Sequence, residues 1–113
     1  MLKANIDDYL VKYDCPISYF GYRALREVLW VACHNYGEIK TNLKSIYLDA
    51  SKKLQMTRLA IERNLHTLLD IWKDSPRFKE LFPTIPTNGN LVITLAFKIF
   101  HTFHSVFDTL ILD

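Results

Sequence analysis

Apolar residues recur at helical rather than alternating spacing along nearly the whole chain, and polar or proline-containing breaks divide them into about six runs. The first run predicts a helix over residues 5–13, stopped by Asp14-Cys15-Pro16. Ser18 stands where a cap is needed for a long helix running through Cys33, whose inner face would carry Tyr22, Leu25, Leu29, Ala32 and Cys33, with Gly37 as its stop. Residues 43–73 then read as two helices split by a polar break. The first buries Ile46, Tyr47, Ala50 and Leu54, turns Asp49, Ser51, Lys52 and Lys53 to water, and ends near Gln55-Met56. Thr57 caps the second, which turns Ile61, Leu65, Leu68, Leu69 and Trp72 inward and leaves Arg58, Glu62, Arg63, His66, Asp70 and Lys73 outside. Asp74-Ser75-Pro76 opens a short helix over 77–82, and residues 83–86 make a stiff connector. Thr87 or Asn88 caps a final helix over about 88–110 with the stripe Val92, Leu95, Ala96, Ile99, Phe103, Val106 and Phe107. No repeat, low-complexity segment or domain boundary interrupts the pattern, so the expectation is one all-α domain over 1–113.

The division of faces in 43–73 is what a helix-turn-helix needs. An apolar stripe fixes the second helix on its domain while the outer side chains reach base edges in the major groove. A plain amphipathic hairpin with a solvated face has the same pattern. The break also lacks the glycine often found in such turns and reads as slightly longer than the tightest version. Charge adds to the first reading. Lys44, Lys52, Lys53, Arg58, Arg63 and Lys73 face only Asp49, Glu62 and Asp70 in this run, whereas the rest of the chain holds eight basic and nine acidic residues. The net +2 of the whole chain therefore resides in the hairpin, a modest excess compatible with weak DNA binding by one copy and stronger binding by two.

Three segments together carry a resemblance. Pro16-Ile17-Ser18-Tyr19-Phe20-Gly21-Tyr22-Arg23-Ala24-Leu25-Arg26-Glu27, then Tyr47, Asp49, Ala50-Ser51-Lys52-Lys53 with Ile61-Glu62-Arg63, then Pro86-Thr87-Asn88 before an apolar helix, follow one another in order and separation. Over about residues 6–99 the chain resembles the C-terminal effector domain of the stage zero sporulation protein A family of response regulators. That resemblance implies a six-helix effector domain, free of a winged helix, that binds a short promoter box in double-stranded DNA as a tandem dimer. It places Glu62 and Arg63 toward the bases. The chain departs from the family at Ala60, His66 and Ile85, where cationic residues are expected, so the target box differs or DNA binding is lost. The family's phosphoacceptor receiver domain has no room in 113 residues. The chain is then either an excised effector domain or a natural stand-alone version.

Composition narrows the remaining classes. Half of the residues are hydrophobic, enough for a core without disulfides or metal, and no membrane span or signal peptide is visible, which points to the cytoplasm. Cys15 and Cys33 read as reduced packing residues. His101 and His104 stand three apart but lack further ligands at supporting spacing, Asp7-Asp8 reads as a solvated helix face, and the scattered glycines form no phosphate loop. Gly21 reads as a site of close packing. No enzyme activity, metal, cofactor or small-molecule substrate is expected.

Two functions follow as expectations. One is sequence-specific transcription regulation, with Arg58, Glu62, Arg63 and His66 nearest the bases and Lys44, Lys52, Lys53 and Lys73 nearer phosphate. The other is a protein-interaction module that kept the fold, lost the arginines and pairs through its tail. Beyond Lys98 that tail is strongly aromatic and apolar, to be buried against its own domain or against a second copy in a homodimer.

Overall fold

The computed structural model describes residues 3–34 and 39–112, with side chains described through Phe103. Its helices are α1 (Lys3–Lys12), α2 (Tyr22–Cys33), α3 (Leu43–Leu54), α4 (Arg58–Trp72), α5 (Pro76–Leu81) and α6 (Asn88–Leu112). No strand occurs among the described residues, and the protein is all-α. The organising element is α2, which touches α1, α3, α4 and α6. Its sequence dictates this: Ala24, Leu25, Val28, Leu29, Val31, Ala32 and Cys33 are all buried, so apolar surface wraps most of the helix and must be covered on several sides.

The expected stripes of the hairpin are the buried ones. Ile46, Tyr47, Ala50 and Leu54 face inward on α3, and Ile61, Leu65, Leu68, Leu69 and Trp72 on α4. Trp72 is buried together with its polar edge, since its indole N–H donates to the Tyr13 carbonyl at 2.8 Å while its ring meets Phe78 edge-on at 5.0 Å. Leu91, Val92, Leu95, Ala96, Ile99 and Phe100 of α6 are buried in the same core. Phe103 extends the packing by an edge contact to Tyr9 at 6.5 Å. The apolar tail thus packs on its own domain through Phe103, while Val106, Phe107 and the side chains that follow, with that of His104, lie outside the described residues. Burial pushes both the Cys15 and Cys33 thiols up to about 12, so they stay protonated packing groups.

Several local expectations are corrected. Ser18 caps nothing. Residues 16–20 form turns, and α2 begins at Tyr22 behind Gly21, which has a helical φ of −72° and no side-chain cap. Gly21 itself sits at a tertiary contact: a Cβ on it would lie 2.6 Å from the Asn64 carbonyl oxygen of α4 and 3.3 Å from Leu68 Cβ. Gly21 lets the two helices meet there. Asp7 is not merely solvated, because it accepts from the Tyr22 hydroxyl and lies 3.4 Å from Arg26 Nε, clamping α1 to α2. Burial, reinforced by that hydrogen bond, drives the Tyr22 phenol well above its usual range. The helix expected over 5–13 starts earlier, at Lys3. The short helix is Pro76–Leu81, with proline in its first turn. Gly37 lies outside the described residues.

Candidate nucleic-acid interface

Helices α3 and α4 are joined by three residues, Gln55, Met56 and Thr57. The turn is therefore as short as helix-turn-helix connections get, not longer as the sequence suggests. Where many such turns place glycine, Gln55 itself takes the left-handed conformation with φ 55°. Ser51 makes this tolerable. Its carbonyl accepts from the Gln55 and Met56 N–H groups and its hydroxyl donates to the Met56 carbonyl, so Ser51 closes the turn rather than facing water. Both helices start on side-chain caps: Asn42 Oδ1 accepts from Ser45 N and Thr57 Oγ1 from Ala60 N, each at 3.1 Å. The cap predicted at Thr57 is the one observed.

The outward row of α4 is Leu59, Arg63, His66 and Asp70, which follow at alternating four- and three-residue steps and are all exposed. Arg63 stands in its middle with no ion-pair partner among the described residues. Leu59, half-exposed at 55 %, opens the row and was not expected to belong to it. Arg58 and Glu62 sit on the flank toward α3. Their side chains pair with each other at 3.6 Å, and the Glu62 carboxylate adds to the burial that raises the Tyr47 phenol to about 12. Over Arg58–Trp72 two arginines meet two carboxylates, so the arginines and carboxylates of α4 sum to no net charge.

His66 is held in a polar chain that sequence reasoning missed. Its Nδ1 lies 2.7 Å from Asn88 Nδ2, Asn88 Oδ1 accepts from Lys73 Nζ at 2.6 Å, and His66 Nε2 is 3.3 Å from Asp70. Lysine can only donate, so it fixes the Asn88 amide with its NH₂ toward His66. The imidazole then accepts at Nδ1 and carries its proton on Nε2, toward Asp70. Asn88 belongs to the Pro86-Thr87-Asn88 run, expected only to start α6. Here it also docks the start of α6 on α4, and Ile85 before it is exposed.

The four lysines expected near phosphate are not gathered on this face. Lys44 is exposed on α3 and Lys73 is committed to Asn88. Lys53 points to the other side of α3, where its Nζ is 3.8 Å from Glu27 of α2. Lys52 lines a hollow beside it, together with Lys40, which bonds Asp49 at 2.5 Å. No helix among the described residues is long and apolar enough to cross a membrane. Comparisons with family models, with curated proteins and with solved structures found no match.

Proposed function

We propose that this protein is a sequence-specific DNA-binding transcription regulator domain of the helix-turn-helix class, akin to the sporulation-regulator effector domain that it resembles, with α4 as the reading helix. The observation that carries the reading is the hairpin itself: two side-chain-capped helices, a three-residue turn, and an unpaired Arg63 at the centre of the exposed row of α4. Arg63 would span guanine O6 and N7, and Glu62, oriented by Arg58, would accept from a cytosine amino group. His66, bonded to Asn88, is a hydrogen-bonding neighbour in the same row.

Selection from a random duplex library at two salt concentrations tests this. An enriched box that weakens with salt, and that Arg63→Ala binds with relaxed discrimination of about 1–3 kcal/mol at one base pair, is the expected result. No enrichment by the folded chain would sink it.

A second reading, the protein-interaction module, has one observation in its favour. The outward row of α4 opens with the half-exposed Leu59 and has no net charge, which suits a protein partner better than a polyanion. Salt-insensitive self-association or capture of a regulator, lost in Leu59→Ser, would favour it.

A further inference from the structure

The positive charge absent from α4 is concentrated elsewhere. Between α2 and α3 lie two adjoining hollows, of ≈ 390 and ≈ 280 Å³, that share Lys53 in their walls. The first is edged by Lys40 and Lys52 with Asp49, the second by Lys3, Arg23 and Arg26 with Glu27. Counting Asp7, which pairs with Arg26, six cations meet three carboxylates, an excess larger than the net +2 of the whole chain. The carboxylates are spoken for. Glu27 is buried and held by Lys3 at 2.8 Å, Asp49 by Lys40 at 2.5 Å and Asp7 by Arg26 at 3.4 Å. Arg23 and Lys52 have no ion-pair partner among the described residues, and Lys53 stands 3.8 Å from its own.

Fixed anions therefore orient one set of cations and leave a second set directed at whatever fills the groove. A concave surface of this kind focuses an attractive field on a chain of negative charges more than a convex helix does. We propose that the α2/α3 groove grips successive phosphates of a nucleic-acid backbone, with Arg23 and Lys52 as its principal contacts and Lys53 between them. The choice of DNA as occupant rests on the function proposed above; the anion groove itself does not. It assigns phosphate grip to the side of α3 away from α4, so that binding strength and base reading reside on different surfaces of one domain.

The test measures binding of the full chain to a mixed-sequence duplex across a salt series, and separately to inorganic tripolyphosphate by calorimetry. Arg23 and Lys52 are exposed, so Arg23→Gln/Lys52→Gln should fold normally, which circular dichroism checks. The expected result is a fall of about two in the salt slope for duplex, at least tenfold weaker duplex binding at low salt, and loss of the tripolyphosphate heat. Lys52→Arg should keep all three, and Arg63→Ala should leave tripolyphosphate binding untouched. A double variant that keeps the wild-type slope and heat overturns the groove. Tripolyphosphate binding lost in the double variant, with no duplex binding by the wild type, overturns DNA as the occupant and the α4 reading with it, while the anion site stands.

Discussion

The two faces flanking α3 differ in how their charges are arranged. On α4 each acid has a base within a turn or so: Arg58 pairs with Glu62, and Asp70 with His66 and Lys73. Between α2 and α3 the acids are buried or clamped, and cations remain in excess. The same residue types thus give a neutral, directional surface in one place and a positive, nondirectional one in the other. Arg63, unpaired among paired neighbours on α4, suits a directional contact, whereas several cations gathered in a hollow suit affinity for any polyanion. Both surfaces hang on α2, and substitutions there separate them most sharply.

Gly21→Ala should have the largest effect. The helical φ of Gly21 suits alanine, so the cost is steric alone: a methyl group 2.6 Å from backbone oxygen cannot be absorbed by a side-chain rotation. We expect a loss of about 1–3 kcal/mol in urea unfolding. Because the clash lifts α4 from α2 and leaves α3 in place, box discrimination should suffer more than tripolyphosphate binding. Equal loss of both would mean that the two faces are not mechanically separate.

Glu27→Gln comes next and sharpens the difference from the other side. Removing the buried carboxylate frees Lys3 and Lys53, both of which reach water, so the stability cost should be about 1–2 kcal/mol rather than that of a fully buried pair. The groove gains one positive charge, and its binding of duplex at low salt should rise several-fold with a steeper salt slope. Discrimination among boxes, which we propose for α4, should not change. A variant that binds more weakly would show that Glu27 orders the groove more than it neutralises it.

How much of this was legible beforehand divides along the same line. The apolar stripes of α3 and α4 were readable residue by residue, because a helix repeats every 3.6 residues and burial needs only that local period. Thr57 was readable as a cap for the same reason. The positions of Lys53, Lys73 and Asp7 were not, because a long or charged side chain chooses among partners far away in sequence. Lys3 and Glu27 are 24 residues apart, and Lys73 and Asn88 are 15 apart. Local period says which charges face outward, never which of them meet. Ser18 failed as a cap because it lies inside a turn closed by the Tyr19 N–H on the Pro16 carbonyl, ahead of the helix that starts at Tyr22. A signal for the close approach of Gly21 to Asn64 was present in Gly21 itself, which was read as a packing glycine.

A smaller effect is expected at the turn. Gln55 has a positive φ that costs a residue with a Cβ roughly 1 kcal/mol or more, and Gln55→Gly should recover about 0.5–1 kcal/mol after the extra freedom of the unfolded chain is counted. Thermal unfolding measures it. Since Ser51 closes the turn through backbone groups, neither face should move, and binding to both probes should stay at the wild-type level. A change in box discrimination would show that the angle between α3 and α4 depends on Gln55.

The smallest effect is a pH dependence at the edge of the groove. The hydrogen bond from Lys40 holds the Asp49 carboxyl below its usual range, outweighing the opposing effect of burial with help from the charges of Lys40, Lys52 and Lys53. A folded-state value below the unfolded one, about 3.9, means that the folded chain prefers the ionised carboxylate. The resulting stability is fully present above the unfolded value and drains away as pH falls through the lower folded value. Because the pair is substantially exposed, its size should stay under about 1 kcal/mol. The difference in urea stability between wild type and Asp49→Asn should therefore be visible at pH 6 and shrink toward zero as pH falls below about 3.9. Protonation also frees Lys40 and raises the charge of the groove. Binding of a strong-acid polyanion such as dextran sulfate, measured over the same interval where the chain remains folded, should tighten more in the wild type than in Asp49→Asn. Glu27 and Asp7 belong to the same groove and are present in both proteins, so the test is the excess tightening of the wild type over Asp49→Asn; an equal rise in the two would show that Asp49 does not set the charge of the groove.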